Sequence, residues 1–234
     1  MSPTVEPTAV VAAIRGGDLD ALQRLIDERP ELVTSRIHGS RTALHVVTDW
    51  PGYYPNGPAV VRMLVAAGAD PNADTGGNAP ETPLHWAASS DDLDVADALI
   101  DAGAELETPG GSIGTPLDNA IGYGCWHVAR RLVERGARID KLWHAAALGL
   151  MTRVEELIAS GPGPEEISAA FWQACHGGQR RTAEYLLRHG ADINTIPAYA
   201  KQTALEIAFA PDTRRDLLAT WLREQGAQPS NNAA

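Results

Sequence analysis

The sequence predicts an all-α solenoid in which short helix–turn–helix units, joined by short finger turns, stack side by side. Three observations carry that prediction. The stretch Glu81–Glu107, ETPLHWAASSDDLDVADALIDAGAELE, reads as one complete unit. Its opening Thr82-Pro83-Leu84-His85 returns as Thr42-Ala43-Leu44-His45, Thr115-Pro116-Leu117-Asp118 and Thr203-Ala204-Leu205-Glu206. Its ending, a leucine leading to a Gly-Ala pair, returns at Leu64–Ala69, Leu132–Ala137, Leu186–Ala191 and Leu222–Ala227 as well as Leu99–Ala104. Helices this short cannot bury their apolar faces alone, so each unit needs copies on either side.

Within the unit, Pro83 suits the first helical turn, where its missing N–H has no partner in any case. Leu84, Ala87 and Ala88 then fall on one helix face. A second helix from Asp92 carries Leu93, Val95, Ala96, Leu99 and Ile100 at helical spacing, and Gly103 ends it in a left-handed turn. Thr82 and Thr115 are 33 residues apart. Phrase and period together resemble the ankyrin repeat, over roughly Pro7 to Ala227. The phrases Leu142–Gly149 and Phe171–Gln179 resemble a group of bacterial ankyrin proteins. The resemblance implies finger-like connections, a concave surface that binds proteins, and a structural role for His45 and His85 in bonding finger backbone.

The units follow in order as 7–38, 41–76, 81–113, 114–139, 140–163, 164–197 and 201–228, one domain over 1–234 with a disordered tail at 229–234. The first has a degenerate opening, Ala9–Ile14, as a terminal repeat with one watery side requires. The second runs 27 steps from Thr42 to Ala69 against 22 from Thr82 to Ala104, an insertion of five residues around Pro51-Gly52-Tyr53-Tyr54-Pro55-Asn56-Gly57. Gly and Pro at that density exclude helix and strand, and two adjacent tyrosines suit a binding loop. In the fourth unit Asp118 replaces the histidine and can meet similar backbone groups only as an acceptor. After Ala137 and Ser160 the fingers are cut to a few residues. Trp143 and Trp172 align with the histidine slot there, with His144 an alternative one residue on, and side-by-side aromatic packing is the expected substitute. The last unit carries a helix over Asp212–Gln225, with Arg214, Arg215, Glu224 and Gln225 as its polar outer face.

Composition narrows the function. The net charge of −11 opposes binding to nucleic acid through phosphates. All of it lies in residues 1–117, with 17 acidic and 6 basic side chains, while residues 118–234 hold 13 of each. A basic partner is therefore drawn to the N-terminal half. No run is long and apolar enough to span a bilayer, the N-terminus lacks signal-peptide character, and two cysteines in different units suit a cytoplasmic protein with free thiols.

No phosphate loop, zinc cluster or nucleophile elbow is present, so no catalytic residue, metal ligand or cofactor is assigned. In the resembled family, the two residues after the small pair of the first helix face the groove. That places Asp49, Trp50, Ser89, Ser90, Tyr123, Leu148 and His176 along a concave strip, with Tyr53 and Tyr54 over it and Asp118 among its few charges. Trp86 and Trp126 are expected in the core. The reading is a non-catalytic scaffold that binds a protein partner, with no nucleic acid or membrane and with self-association left open. The rival is a small-molecule binder or enzyme in which Asp49, Asp118 or His176 acts as acid or base beneath the Tyr53–Tyr54 loop. A groove open along its length favours the first, and a closed pocket favours the second.

Overall fold

The computed structural model describes residues 7–111, 113–209 and 215–230. Among these residues every regular element is a helix. Strand-like pairing is confined to isolated bridges at His38–Arg41 and Gly110–Gly114, both in fingers. Two compact units are present, Met1–Arg138 and Ile139–Ala234. Their boundary falls where the sequence shortens the finger.

In the first unit the helices are α1 (Pro7–Gly16), α2 (Leu19–Glu28), α3 (Ala43–Thr48), α4 (Gly57–Ala66), α5 (Pro83–Ser90), α6 (Leu93–Asp101), α7 (Pro116–Gly122) and α8 (Trp126–Glu134). They come in pairs. The first members α1, α3, α5 and α7 pack in one row, and the second members α2, α4, α6 and α8 in another. Between the rows lie Leu44, Val47, Val61, Leu64, Leu84, Leu99, Leu117, Ile121 and Leu132, each at most 2% exposed. Burying a side chain of this size contributes about 1.5–3 kcal/mol, which is why the Leu…Gly-Ala phrase repeats wherever a second helix meets the layer.

The second unit holds α9 (Leu142–Leu148), α10 (Met151–Ala159), α11 (Pro164–His176), α12 (Arg180–Arg188), α13 (Ala204–Ala208) and α14 (Asp216–Glu224). Its core gathers Leu142, Val154, Phe171, Leu186, Leu218 and Leu222. The connections before α9 and α11 are short, as the sequence predicts. Helix α14 is described from Asp216. The expected helix start at Asp212, and Arg214, lie outside the described residues, as do 231–234 of the expected tail. The tail up to Ser230 is tied down rather than loose. Gln228 donates its N–H to Asn194 Oδ1 at 2.8 Å, and Ser230 donates its N–H and hydroxyl to Glu206 Oε1 at 3.0 and 2.7 Å.

The helix openings share one device. Thr42 and Thr82 each direct backbone N–H and hydroxyl at the Nδ1 of the histidine three residues on, while the histidine Nε2 meets a carbonyl of the next repeat: His45 to Glu81 at 2.9 Å, His85 to Gly114 at 3.0 Å. A carbonyl only accepts, so Nε2 carries the proton and Nδ1 is free to accept. Asp118 and Glu206 fill the slot after Thr115 and Thr203 and accept the threonine N–H at 2.7 Å in each case. Trp172 departs from the expected side-by-side stacking. Its Nε1 donates to the Gln202 carbonyl at 2.8 Å, the same tie that the histidines make. In the preceding unit Trp143 is partly buried and His144 is buried, with their ring centroids 4.3 Å apart.

Candidate functional site

The local chemistry at the ends of α3, α5 and α7 leaves an open cleft in the first unit. Its volume is about 580 Å³, and it is lined by Arg41, Thr48, Asp49, Trp50, Glu81, Trp86, Ser89, Ser90 and Tyr123. Trp50 and Tyr123 follow the last residues of their helices, so neither ring has a layer to pack into. They stand 78% and 57% exposed. Ser89 and Ser90 end α5 between them and turn their hydroxyls back to the helix, bonding the His85 and Trp86 carbonyls at 2.9 and 3.1 Å. Small residues here keep the floor low.

Charges in the cleft are arranged in two ways. Asp49 is charge-paired: its Oδ2 accepts from Arg15 at 2.8 Å and from Arg41 at 2.9 Å. The Arg41 guanidinium also lies 4.8 Å from the Trp86 ring centroid, a cation–π contact of about 0.5–2 kcal/mol. Glu81 is held by neutral donors instead. Trp86 Nε1 donates to Oε2 at 2.8 Å and Asn119 Nδ2 to Oε1 at 3.1 Å. Asn119, fully buried, also donates to Ser89 Oγ at 3.2 Å and leaves its own Oδ1 without a partner.

The structure thus gathers Asp49, Trp50, Ser89, Ser90 and Tyr123 and puts the other expected residues elsewhere. Tyr53 and Tyr54 do not line the cleft. The Tyr53 hydroxyl donates to the Asp91 carbonyl and its N–H to Asp92 Oδ2 at 2.6 Å, while Asn56 Nδ2 reaches back to the Gly17 carbonyl at 2.9 Å. The inserted loop is a brace between neighbouring repeats, shaped by left-handed backbone at Tyr53 (φ 56°) and Asn56 (φ 57°). Tyr54 is partly buried and stacks under Arg15. Asp118 is fully buried and spent on capping α7, so it offers no charge to the groove. Leu148 is buried in the second unit. His176, also there, bonds Gln173 and packs 5.2 Å from the Trp172 ring. Neither lines this cleft.

Sequence reasoning missed Arg41, Thr48, Glu81 and Trp86. Trp86, expected in the core, is only partly buried. It directly follows the histidine of the phrase, where the layer between rows is filled by Ala87 and Ala88 and cannot take an indole. Trp126, the first residue of α8, is also only partly buried. Glu81 had a legible signal: it precedes Thr82, the position whose carbonyl the preceding histidine takes. Burial holds the pKa of His45 and His85 below 6.5 and pushes the Cys125 thiol up to about 11. Cys175 is shifted the same way. Both cysteines are free and buried, packing residues rather than nucleophiles.

A family model described as ankyrin repeats in three copies matches residues 52–141, and one described as ankyrin repeat matches residues 169–196, together just over half of the chain. The chain carries ankyrin repeats and belongs to that family. Ankyrin repeat and SOCS box protein 16 of Homo sapiens is 28% identical over 98% of this chain and 54% of its own length. A transient receptor potential cation channel subfamily A member 1 homolog of Caenorhabditis elegans is 28% identical over 58% of this chain. This chain spans 11% of that relative and about half of the former. The ankyrin-repeat domain of Bcl-3, a member of the IkappaB protein family, superposes with a TM-score of 0.53 at 26% identity, covering 92% of this chain and 97% of that one. The longer ankyrin match contains Glu81, Trp86, Ser89, Ser90 and Tyr123, whereas Arg41, Thr48, Asp49 and Trp50 precede it.

Proposed function

We propose that this ankyrin-repeat chain is a non-catalytic scaffold that binds another protein through the cleft of its first unit. Ankyrin-repeat domains generally mediate protein–protein interaction. One observation carries the reading for this chain: two large aromatic rings, Trp50 and Tyr123, stand exposed on the rim of an open cleft. Aromatic side chains of this kind dominate binding energy when a partner covers them. The volume also suits a small ligand. Against that, the cleft is open along one side, so a small ligand would keep one face in water while a polypeptide would close it. The two buried free thiols suit a reducing compartment such as the cytoplasm.

The test is affinity capture from a cell lysate with quantitative mass spectrometry, comparing the wild type with a Trp50→Ala/Tyr123→Ala double variant of matched thermal stability. The proposal expects a specific set of proteins lost from the double variant. An identical captured set would remove the cleft from consideration.

A further inference from the structure

Glu81 is the cleft carboxylate that the molecule positions without neutralising. Among the described residues, no arginine, lysine or histidine lies within ion-pair distance of it, in contrast to Asp49 with its two arginines. Trp86 and Asn119 each occupy one acceptor site, on Oε2 and Oε1. A carboxylate has about four such sites, so one remains on each oxygen. A guanidinium fork pairs with both oxygens of a carboxylate. Asn119 commits its amide hydrogens to Glu81 and Ser89 while its own carbonyl oxygen goes unpaired in the interior. A buried unmade hydrogen bond is costly, and here the cost goes into fixing a carboxylate at the cleft wall.

We infer that the cleft receives an arginine side chain of the partner protein, its guanidinium plane against the exposed Trp50 and Tyr123 rings and its fork on the Glu81 carboxylate. The inference rests on the protein-binding reading above and names the chemistry of that partner. Charge supports it: residues 1–138 contain 19 acidic and 10 basic side chains, a field that draws a cationic segment in. Arg41 does not already do the job, because its guanidinium is taken up by Asp49 and by the Trp86 face. Arginine fits better than lysine. Its planar, weakly hydrated head stacks on aromatic rings and pairs bidentately, whereas an ammonium is a strongly hydrated point charge.

The test selects peptides from a random-sequence phage library on the full chain, then synthesises the best binder with its arginine kept or replaced by citrulline, which keeps the shape and loses the charge. Both peptides are titrated calorimetrically against wild type, Glu81→Gln and Trp50→Ala. Glu81→Gln should fold, since Asn119 can turn its amide and offer its unpaired Oδ1 to the new NH2; thermal melting checks this. The expected result is a shared arginine among selected peptides, a loss of about tenfold or more on citrulline replacement or on Glu81→Gln, and no further loss when both are combined. Peptides that need Trp50 but share no arginine, or that bind Glu81→Gln unchanged, overturn the arginine and leave the protein-binding cleft standing. Peptides indifferent to both Trp50 and Glu81, or no selected peptide at all, overturn both.

Discussion

Residues 1–138 and residues 139–234 tie successive repeats with the same bond made by different side chains. In the first region His45 and His85 donate to the carbonyls of Glu81 and Gly114; in the second Trp172 donates to the carbonyl of Gln202. Each acceptor is the residue immediately before the threonine that opens the next helix. At these three slots a ring N–H meets that carbonyl, and either an imidazole or an indole supplies it; Asp118 and Glu206 fill the same slot in other repeats without a ring. The difference is that an imidazole titrates. Burial, the largest cause, lowers the pKa of both histidines from 6.5 in spite of the backbone bonds that oppose it. Protonation would also put a hydrogen on Nδ1, facing the threonine N–H. A group whose folded pKa is depressed this way holds its stabilisation fully above the unfolded value near 6.5 and loses it as pH falls, because the unfolded chain then binds more protons. The first region's ties weaken in mild acid. The Trp172 tie does not. His45 also anchors the backbone of Glu81, so acid loosens the cleft along with the fold.

Cutting a cavity in each region is the largest perturbation. Leu99→Ala and Leu186→Ala, both at fully buried positions, should each cost about 2–5 kcal/mol by chemical denaturation. Residue-resolved amide exchange should show the loss concentrated in the mutated region, as nearest-neighbour coupling predicts. A cost under about 0.5 kcal/mol, typical of surface changes, would contradict the burial. Breaking the tryptophan tie is next. Trp172→Phe leaves the Gln202 carbonyl without its donor and should cost about 1–3 kcal/mol, equally at about pH 7.5 and about pH 5.5 since no proton is involved. His85→Gln should cost about 1 kcal/mol near neutral pH, because glutamine at the third helical position still reaches back to the Thr82 N–H. The same variant should flatten the dependence of melting temperature on pH below 6.5; a slope equal to that of wild type would show that His85 is not its source. The smallest effect is Trp50→Ala. A ring 78% exposed should change stability by no more than about 0.5 kcal/mol, so any loss of binding in that variant reports on the cleft alone.

The sequence carried most of the fold because the repeat states each packing rule several times. Leu99 and Leu132 occupy the same place in the same phrase, and both are fully buried. The Thr-x-x-His opening likewise marks a helix start whose bonds are local. The cleft was legible only in part, for reasons of register and path. Trp50 and Tyr123 follow from what the family resemblance implies for the two residues after the small pair of the first helix. Trp86 sits one residue beyond the histidine, on the shoulder of an eight-residue helix, where a small error in face separates core from rim. Tyr53 turns away because the backbone goes left-handed at Tyr53 and Asn56, and its hydroxyl finds the Asp91 carbonyl; no pattern in the chain encodes that path. Asp118 is expected among the groove charges, yet its place three residues after Thr115 gives it a capping role instead. Glu81 needed the tie to be seen first, since it is the His45 bond that sets its backbone.

The contrast between titrating and non-titrating ties is tested most directly by amide hydrogen exchange across the chain at about pH 7.5 and about pH 5.5, corrected for intrinsic exchange. The account predicts that protection in α3 and α5 and at Glu81 and Gly114 falls in acid, while the amides of α11 and of Gln202 and Thr203 keep theirs. Equal loss around the histidine and tryptophan ties, or no loss around His45 and His85, would contradict it.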